Sequence, residues 1–422
     1  MATNANPDQF ATAIQPRSRG YLTYLVVFLG SIALMDSYLS SVKSSAIPYI
    51  LETYGISAPA FSGIESLVLI STFFVFILNH LADVIGRKLG LLLLILGFGL
   101  TSLAIVLWTP TLPLFMVFYA AATFFTVSNM WQVPASEEAP AARRARMVTI
   151  IAAIGMLPLQ AILPPIMVDK LGLNWRWMYG VQFLFMFPVL VMWLFMRETS
   201  RFQAVQEQRR LDHARRSFNL GLATIDRRDL RNIILSSAVV ICILIFVTLF
   251  FWCGYFFITL NGFTLTRWST VFLAILLMIL LGNLSGGWLM DRIGRKRGLI
   301  IGCAGCCASI AGLGYASGSI QIGMVAATGF FFGISSSWTI VYIPEVFPTE
   351  RRATCMGWVT AGGRISYVVG PALAALLLKT FPDMHGFWVA AGLVALLPIV
   401  IILLARPAET RQQSLEEISA TH

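Results

Sequence analysis

Long runs of apolar residues alternate with short polar segments along almost the whole chain. Each run is about 20 residues long, the length at which an α-helix crosses the hydrocarbon core of a bilayer. A spanning segment must be a helix or part of a closed barrel, and these runs are too long and too continuously apolar for barrel strands. The pattern predicts twelve transmembrane helices, at residues 21–43, 60–82, 90–108, 112–135, 147–168, 175–196, 232–258, 268–290, 298–316, 319–343, 355–379 and 385–405.

The polar segments predict the domain organisation. The longest connection, residues 197–231, is rich in arginine and divides the helices into two sets of six. Residues 1–20 lack an apolar stretch followed by a small-residue cleavage site, so we predict no cleaved signal peptide. The expected domains are an N-terminus (1–20), an N-terminal six-helix bundle (21–196), a linker (197–231), a C-terminal six-helix bundle (232–405) and a tail (406–422).

Composition agrees with a membrane protein. The 422 residues are 57% hydrophobic and 12% charged, whereas a soluble domain carries about 25% charged residues. The net charge of +10 lies mostly on one side of the predicted topology, which includes nine arginines between Arg197 and Arg231. The other side holds Lys170, Arg176, Arg267 and Lys379. Cytoplasmic loops carry excess Lys and Arg, so both termini are predicted to be cytoplasmic and no nucleic-acid partner is expected.

Catalytic and metal-binding patterns are weak. Cys303, Cys306 and Cys307 have a faint metal-like spacing, but no second cluster or histidine accompanies them, and we interpret them as small residues in helix packing. The sequence contains four histidines and lacks a Ser-His-Asp set or an HExxH motif. We therefore expect no metal, no cofactor and no enzymatic activity.

The chain contains an internal repeat. Residues 79–88 match residues 287–296, which lie 208 positions later. Glu137, Pro140 and Arg144 match Glu345, Pro348 and Arg352 at the same displacement, and Arg146 accompanies the first set. Two unrelated motifs with one offset indicate a duplicated unit, which is typical of secondary transporters.

The repeated segment resembles the Gly-x-x-x-Asp-x-x-Gly-Arg-Lys signature of the major facilitator superfamily, with Asn79 in place of the first glycine in the first copy. Residues 345–354, 175–178, 197–202 and 414–418 resemble its sugar-porter and organic-ion branch, which includes symporters of aromatic acids and protons. The resemblance implies an all-α membrane fold of two pseudo-symmetric six-helix bundles around a cavity that opens to each side in turn. It also implies a transporter of a small molecule that uses the proton gradient. We expect a functional monomer in the lipid bilayer of a bacterial inner membrane.

The same resemblance implies a cytoplasmic latch that holds the two bundles together when the cavity faces outward. Asp83 ends a helix where it can pair with Arg144 or approach a helix N-terminus. Alternatively, these charges only set the topology. The predicted latch residues are Asp83, Arg87, Glu137, Arg144, Asp291, Arg295, Glu345 and Arg352.

Four charges fall within the predicted spans: Asp36, Lys43, Glu65 and Arg364. Charges at bilayer depth are costly and are functional candidates. Asp36 and Glu65 are predicted to carry the coupled proton. The alternative for Asp36 is a structural pairing with Lys43 or a contact with the substrate. The alternative for Glu65 is an ion pair with Lys43 near the outer mouth of the cavity. The arginine that sugar porters carry in the fourth span is missing here, so Arg364 or Lys43 would have to supply the counter-charge.

The seventh span is aromatic and lacks the paired glutamines of sugar porters, which argues against a sugar substrate. A buried arginine such as Arg364 can pair with a carboxylate, which favours a small and possibly aromatic organic anion. The rival substrate is an amphipathic organic cation or drug, held by Asp36 or Glu65. A non-transporting sensor on the same fold is a further alternative. Besides Arg364 and Lys43, the predicted substrate residues are Gln160, Trp131, Trp252, Tyr255, Trp338 and Tyr342, and the aromatic ones could equally serve in helix packing.

Overall fold

The computed structural model of the chain describes residues 17–126, 128, 130–139, 144–200, 202–203, 226–347, 352–407 and 409. The helices of the first half are α1 (Arg19–Ser41), α2 (Lys43–Tyr54), α3 (Ala58–Val68), α4 (Val75–Ile85), α5 (Arg87–Leu107), α6 (Leu112–Thr126), α7 (Gln132–Glu138), α8 (Arg144–Gly155), α9 (Leu159–Pro165) and α10 (Trp177–Phe195). A 3₁₀ turn (Leu69–Phe74) joins α3 to α4, and a π-helical turn (Ile166–Lys170) follows α9.

The helices of the second half are α11 (Arg227–Phe250), α12 (Cys253–Tyr255), α13 (Leu265–Ile293), α14 (Arg295–Ala311), α15 (Ser319–Glu345), α16 (Arg352–Gly363), α17 (Ser366–Thr380) and α18 (His385–Ala405). A second π-helical turn (Phe256–Leu260) follows α12. The described residues contain no β-strand.

The helices confirm the all-α membrane fold with twelve spans. Ten helical stretches of the described chain are long and apolar enough to cross a membrane, and Leu112–Thr126 is a shorter apolar helix. The ninth predicted span, 298–316, corresponds to α14, a 17-residue helix rich in Gly and Cys. Large apolar side chains stay exposed along the spans, as expected for surfaces that face lipid, for example Leu404 at 79% and Phe195 at 69%.

Several spans that the sequence predicts as continuous helices are interrupted. The fifth span breaks between α8 and α9, where Pro158 lacks the N–H that a continuous helix requires and its ring crowds the preceding turn. The eleventh span breaks at Arg364 and Ile365, directly after Gly362 and Gly363, which have low helix propensity. The first span also breaks at Val42, between α1 and α2, and the seventh breaks at residues 251–252, between α11 and α12.

The helices pack into two compact units. Unit 1 contains the described parts of Met1–Lys43 and Ser71–Phe218, and unit 2 contains those of Ser44–Ile70 and Asn219–His422. Residues 44–70, which the sequence assigns to the N-terminal bundle, therefore pack in unit 2. Within unit 2, α3 lies along α17 and α13 lies along α15.

Candidate functional site

Each unit contains a sharp elbow between two helices. Gly86 has φ 108° between α4 and α5, and Gly294 has φ 102° between α13 and α14. A side chain is strained at such a positive φ, which explains why the repeated motif has glycine at its turn. The elbow glycines lie 208 positions apart, like the motifs around them.

In unit 1, Arg87 fixes the elbow to the helix that carries Glu137. Its Nη2 lies 3.0 Å from Glu137 Oε1, and its Nη1 donates to the carbonyl of Ala82 at 3.0 Å. The Glu198 carboxylate accepts the backbone N–H groups of Arg87 (3.0 Å) and Lys88 (3.2 Å). Glu198 thus caps the N-terminus of α5, where a negative charge also interacts favourably with the helix dipole.

A second carboxylate extends the cluster of unit 1. Arg17 Nε donates to Glu138 Oε2 at 2.8 Å, and Arg17 Nη2 donates to the carbonyl of Glu198 at 2.8 Å. Ser200 donates its backbone N–H and its hydroxyl to the same Glu138 carboxylate. The hydrogen bond to Glu138 raises the pKa of Arg17 above its ordinary value. Glu138 therefore joins the residues before α1, the end of α7 and the residues after α10.

Unit 2 repeats the first cluster. Arg295 Nη2 lies 2.7 Å from Glu345 Oε1, and its Nη1 lies 3.0 Å from Asp291 Oδ1 and donates to the carbonyl of Met290 at 3.2 Å. Glu409 caps α14 by accepting the backbone N–H groups of Arg295 (2.9 Å) and Lys296 (3.3 Å). The hydrogen bond to Glu345 raises the pKa of Arg295.

These contacts give the predicted latch residues a specific role inside each unit. Arg87 pairs with Glu137 within unit 1, and Arg295 pairs with Asp291 and Glu345 within unit 2. The side chains of Asp83, Arg144 and Arg352 lie outside the described residues, so their expected pairing, and the latch itself, stay predictions. Sequence reasoning gave no role to Glu138 or Arg17, and it did not recognise Glu198 and Glu409 as helix caps.

The membrane-depth acid of unit 1 has a defined partner. Asp36 is 8% exposed on α1, and the indole Nε1 of Trp131 donates to its Oδ2 at 3.0 Å. Asp36, predicted as a proton carrier, and Trp131, predicted as an aromatic residue of the substrate pocket, are thus in direct contact. Lys43 is buried at the first position of α2, directly after the break at Val42.

The interrupted helices mark corresponding places in the two halves. The break at 156–158 and the break at 364–365 begin 208 positions apart. Gln160 lies just after the first break and is 3% exposed, and its Oε1 has no hydrogen-bond partner among the described residues. Arg364 lies in the second break and is 8% exposed. Breaks at matching positions of inverted or repeated halves are typical of transporter binding sites, and a search of the sequence for Gly or Pro at equivalent positions would have indicated them.

The predicted aromatic residues of unit 2 occupy two places. Trp338 and Tyr342 stack with ring centroids 4.5 Å apart, inside a core cluster that includes Met290, Cys303 and Val346. Trp252 is fully buried and meets Tyr255 edge-on, with centroids 5.7 Å apart. The indole N–H of Trp252 and the hydroxyl of Tyr342 lack a hydrogen-bond partner among the described residues.

Glu65 lies on the contact between α3 and α17. It is 1% exposed, and two serines on the same helix, Ser62 and Ser66, donate to the carbonyls of Pro371 (2.8 Å) and Val368 (2.7 Å). The acid is therefore buried at a contact between segments from different halves of the sequence.

Known proteins resemble this chain in sequence and in structure. The niacin transporter NiaP of Acinetobacter baylyi is 27% identical over 160 residues, which cover 37% of this chain and 36% of that protein. The cis,cis-muconate transport protein of the same species is 33% identical over 128 residues, which cover 29% of each. The chain thus aligns with less than half the length of these two relatives. The inward-open structure of the xylose transporter XylE from E. coli has a TM-score of 0.71 at 18% identity, covers 95% of this chain and 100% of that one, and shows the same fold.

The family model of the Major Facilitator Superfamily matches residues 26–279 and 259–420. These ranges include both elbows and all four of the helix breaks described above. Because the match extends over nearly the whole chain, the resemblance seen in the repeated motif is confirmed, and this chain belongs to the Major Facilitator Superfamily.

Proposed function

We propose that this chain is a secondary active transporter that moves a small organic acid across the membrane by alternating access, coupled to protons. Membership of the superfamily supports transport and agrees with the expectation that the chain is not an enzyme. One observation carries the substrate class: Arg364, a buried arginine, lies where the eleventh span is interrupted.

The surroundings of Arg364 suit a carboxylate. A guanidinium can donate two parallel hydrogen bonds to the two carboxylate oxygens. The helix α17 begins two residues later, at Ser366, and the N-terminus of a helix favours negative charge. The two relatives are named for the transport of niacin and of cis,cis-muconate, and both compounds are organic acids. We therefore place the acid group of the substrate at Arg364.

Uptake by proteoliposomes tests the substrate class with an acid and its uncharged analogue, nicotinate and nicotinamide, together with muconate. Wild type should prefer the acids. Arg364→Lys keeps the charge but loses the planar fork, and should weaken acid binding about ten- to a hundredfold without changing uptake of the amide. Arg267→Lys, which changes an exposed arginine of the same unit, is the matched control. Equal uptake of acid and amide, or a preference for organic cations, would contradict the proposal.

Alternating access requires contacts that can open, and in unit 2 a group of hydrogen bonds connects residues 44–70 to the later helices. We call this group of hydrogen bonds the serine contact. It consists of three sets of hydrogen bonds. Ser62 and Ser66 of α3 donate to carbonyls of α17, Ser44 Oγ donates to the carbonyl of Phe251 (2.9 Å), and Trp268 Nε1 donates to Ser45 Oγ (3.1 Å). Each such hydrogen bond contributes about 0.5–1.5 kcal/mol, so the contact can break and form again. We propose that it opens when the binding site faces the side opposite the elbows.

Gly254 provides a test, because its backbone lies directly against Ser44. A Cβ at position 254 would lie 1.7 Å from the Ser44 carbonyl oxygen, which no side chain tolerates. Gly254→Ala should therefore shift the protein to forms in which the serine contact is open. A cysteine introduced at the buried position Ser66 should then react faster with a thiol reagent. Gly323→Ala on α15, where nothing lies within 4 Å of the added carbon, is the control, and equal labelling rates in the two variants would contradict the proposed movement.

We propose Asp36 as the proton carrier. It is a carboxylate buried in a transmembrane helix, and its hydrogen bond from Trp131 holds it in one position. Asp36→Asn should abolish accumulation driven by a pH gradient and leave exchange of substrate measurable. Asp383→Asn, an acid in the loop between α17 and α18, is the control. Normal pH-driven accumulation by Asp36→Asn would exclude Asp36 from coupling.

A further inference from the structure

A cavity of about 720 Å³ opens in unit 2 at the ends of helices that lie farthest from the elbow. Four segments form its walls: residues 48–52 of α2, residues 56–59 before and within α3, residues 255–259 from the end of α12 onwards, and residues 378–382 at and just after the end of α17. In the predicted orientation this is the outer face of the membrane. Its volume falls in the range of about 300–1,000 Å³ that is usual for small-molecule sites.

The lining has the composition of a ligand site. Most of it is apolar, with Pro48, Leu51, Ile258 and Leu378 among the side chains, and it includes the hydroxyls of Ser57 and Thr259. Tyr49 and Tyr255 supply two half-buried aromatic rings. An apolar and aromatic wall with a few polar groups is what a small planar molecule requires.

Two opposite charges complete the lining. Lys379 lies in the last turn of α17, and Glu52 lies near the end of α2. Both are exposed, and neither has an ion-pair partner among the described residues. The lysine is thus available to a carboxylate, and the glutamate repels a second negative charge on the same molecule.

The cavity adjoins the serine contact. Tyr255, which lines the cavity, meets the buried Trp252 edge-on, and Gly254, the residue between them, lies against Ser44. A molecule in the cavity would therefore lie next to the contact whose opening the proposed transport requires.

We propose that this cavity is a separate binding site for a small aromatic monocarboxylate, which occupies it before the serine contact opens. The acid group lies at Lys379, the ring lies between Tyr49 and Tyr255, and Glu52 disfavours diacids. This inference rests on the proposed function, since it takes the transported acid as the ligand, but it uses neither Arg364 nor any other predicted substrate residue except Tyr255, which it assigns to this cavity.

Thiol labelling tests the site directly. Thr259→Cys places an exposed thiol in the cavity, and Leu171→Cys places one on an exposed loop of unit 1 as the matched control. A membrane-impermeant maleimide should react with both. Saturating nicotinate should slow the reaction at position 259 at least twofold and leave position 171 unchanged, whereas nicotinamide should slow neither. Labelling of the wild type measures any background from its own cysteines.

Charge variants decide whether the protection comes from the proposed contacts. Lys379→Gln should remove the protection by nicotinate, Lys379→Arg should keep it, and Glu52→Gln should let muconate protect as well. Protection should persist in Arg364→Lys even though that variant takes up nicotinate more weakly, which separates this site from the proposed substrate site. Equal slowing at positions 259 and 171, or unchanged protection in Lys379→Gln, would overturn the proposal.

Discussion

The elbow clusters of the two units share one plan and differ in one position. In both, an arginine after the elbow glycine pairs with a glutamate 50 residues later, at 3.0 Å for Arg87 and 2.7 Å for Arg295. The next residue differs. In unit 1 it is Glu138, which binds Arg17 and Ser200, and in unit 2 it is Val346, which packs in the apolar core cluster.

This difference shows how the two copies of a duplicated unit can diverge in sequence and still keep the same elbow structure. The arginine–glutamate pair and the capping glutamate maintain the elbow in both copies. Around them, unit 1 uses charged hydrogen bonds to hold the residues before α1 and after α10, whereas unit 2 uses apolar packing near the end of α15. One copy has an ionic neighbour and the other an apolar neighbour at the equivalent position, and exchanging them should be harmful in both directions.

The largest effect is expected when the ionic residue of unit 1 is placed in unit 2. Val346→Glu would bury a carboxylate among apolar side chains, where Val346 is 5% exposed. An uncompensated buried charge costs about 3–5 kcal/mol, so the unfolding temperature of the purified protein should fall strongly. In Val346→Thr the new side chain has a similar shape and no charge, so the unfolding temperature should fall much less. Equal unfolding temperatures for the two variants would show that unit 2 tolerates the ionic arrangement.

The reverse exchange should have a smaller effect. Glu138→Val removes the acceptor of Arg17 and Ser200, and hydrogen bonds to charged groups contribute about 1.5–3 kcal/mol. Arg17 is partly exposed and can recover some solvation, which limits the loss. The unfolding temperature of Glu138→Val should be lower than that of wild type, and the unfolding temperature of Glu138→Gln should lie between the two. A Glu138→Val protein as stable as wild type would mean that the ionic extension of unit 1 is dispensable.

The smallest effects should come from the two helix caps, and they should be equal. Glu198→Gln and Glu409→Gln each keep one acceptor oxygen and lose the charge at a helix N-terminus, which contributes about 0.3–1 kcal/mol. Hydrogen exchange of the amides of residues 87–90 and 295–298 should accelerate to the same degree in the respective variants. A response in only one unit would show that the caps have diverged as the neighbouring positions have.

Much of the elbow could be predicted from the sequence because it is local and repeated. Gly86 and Gly294 each adopt a positive φ that other residues rarely adopt. The ion pairs of Arg87 and Arg295 with their glutamates recur at a fixed offset of the sequence. The breaks at Pro158 and at Gly362-Gly363 have equally local causes, yet a search for apolar runs passes over them, since proline and glycine hardly change the mean hydropathy of a window.

The sequence alone determined the membrane class, the twelve spans and the duplication, because hydrophobicity and repeats are properties of contiguous segments. Only the tertiary structure decided which distant groups meet. Trp131 donates to Asp36 across 95 positions, Ser62 donates to Pro371 across 309, and residues 44–70 pack with the second half of the chain. Such contacts depend on how helices of similar hydropathy pack against one another, and a pattern of polar and apolar positions carries no information about which neighbour each helix will take.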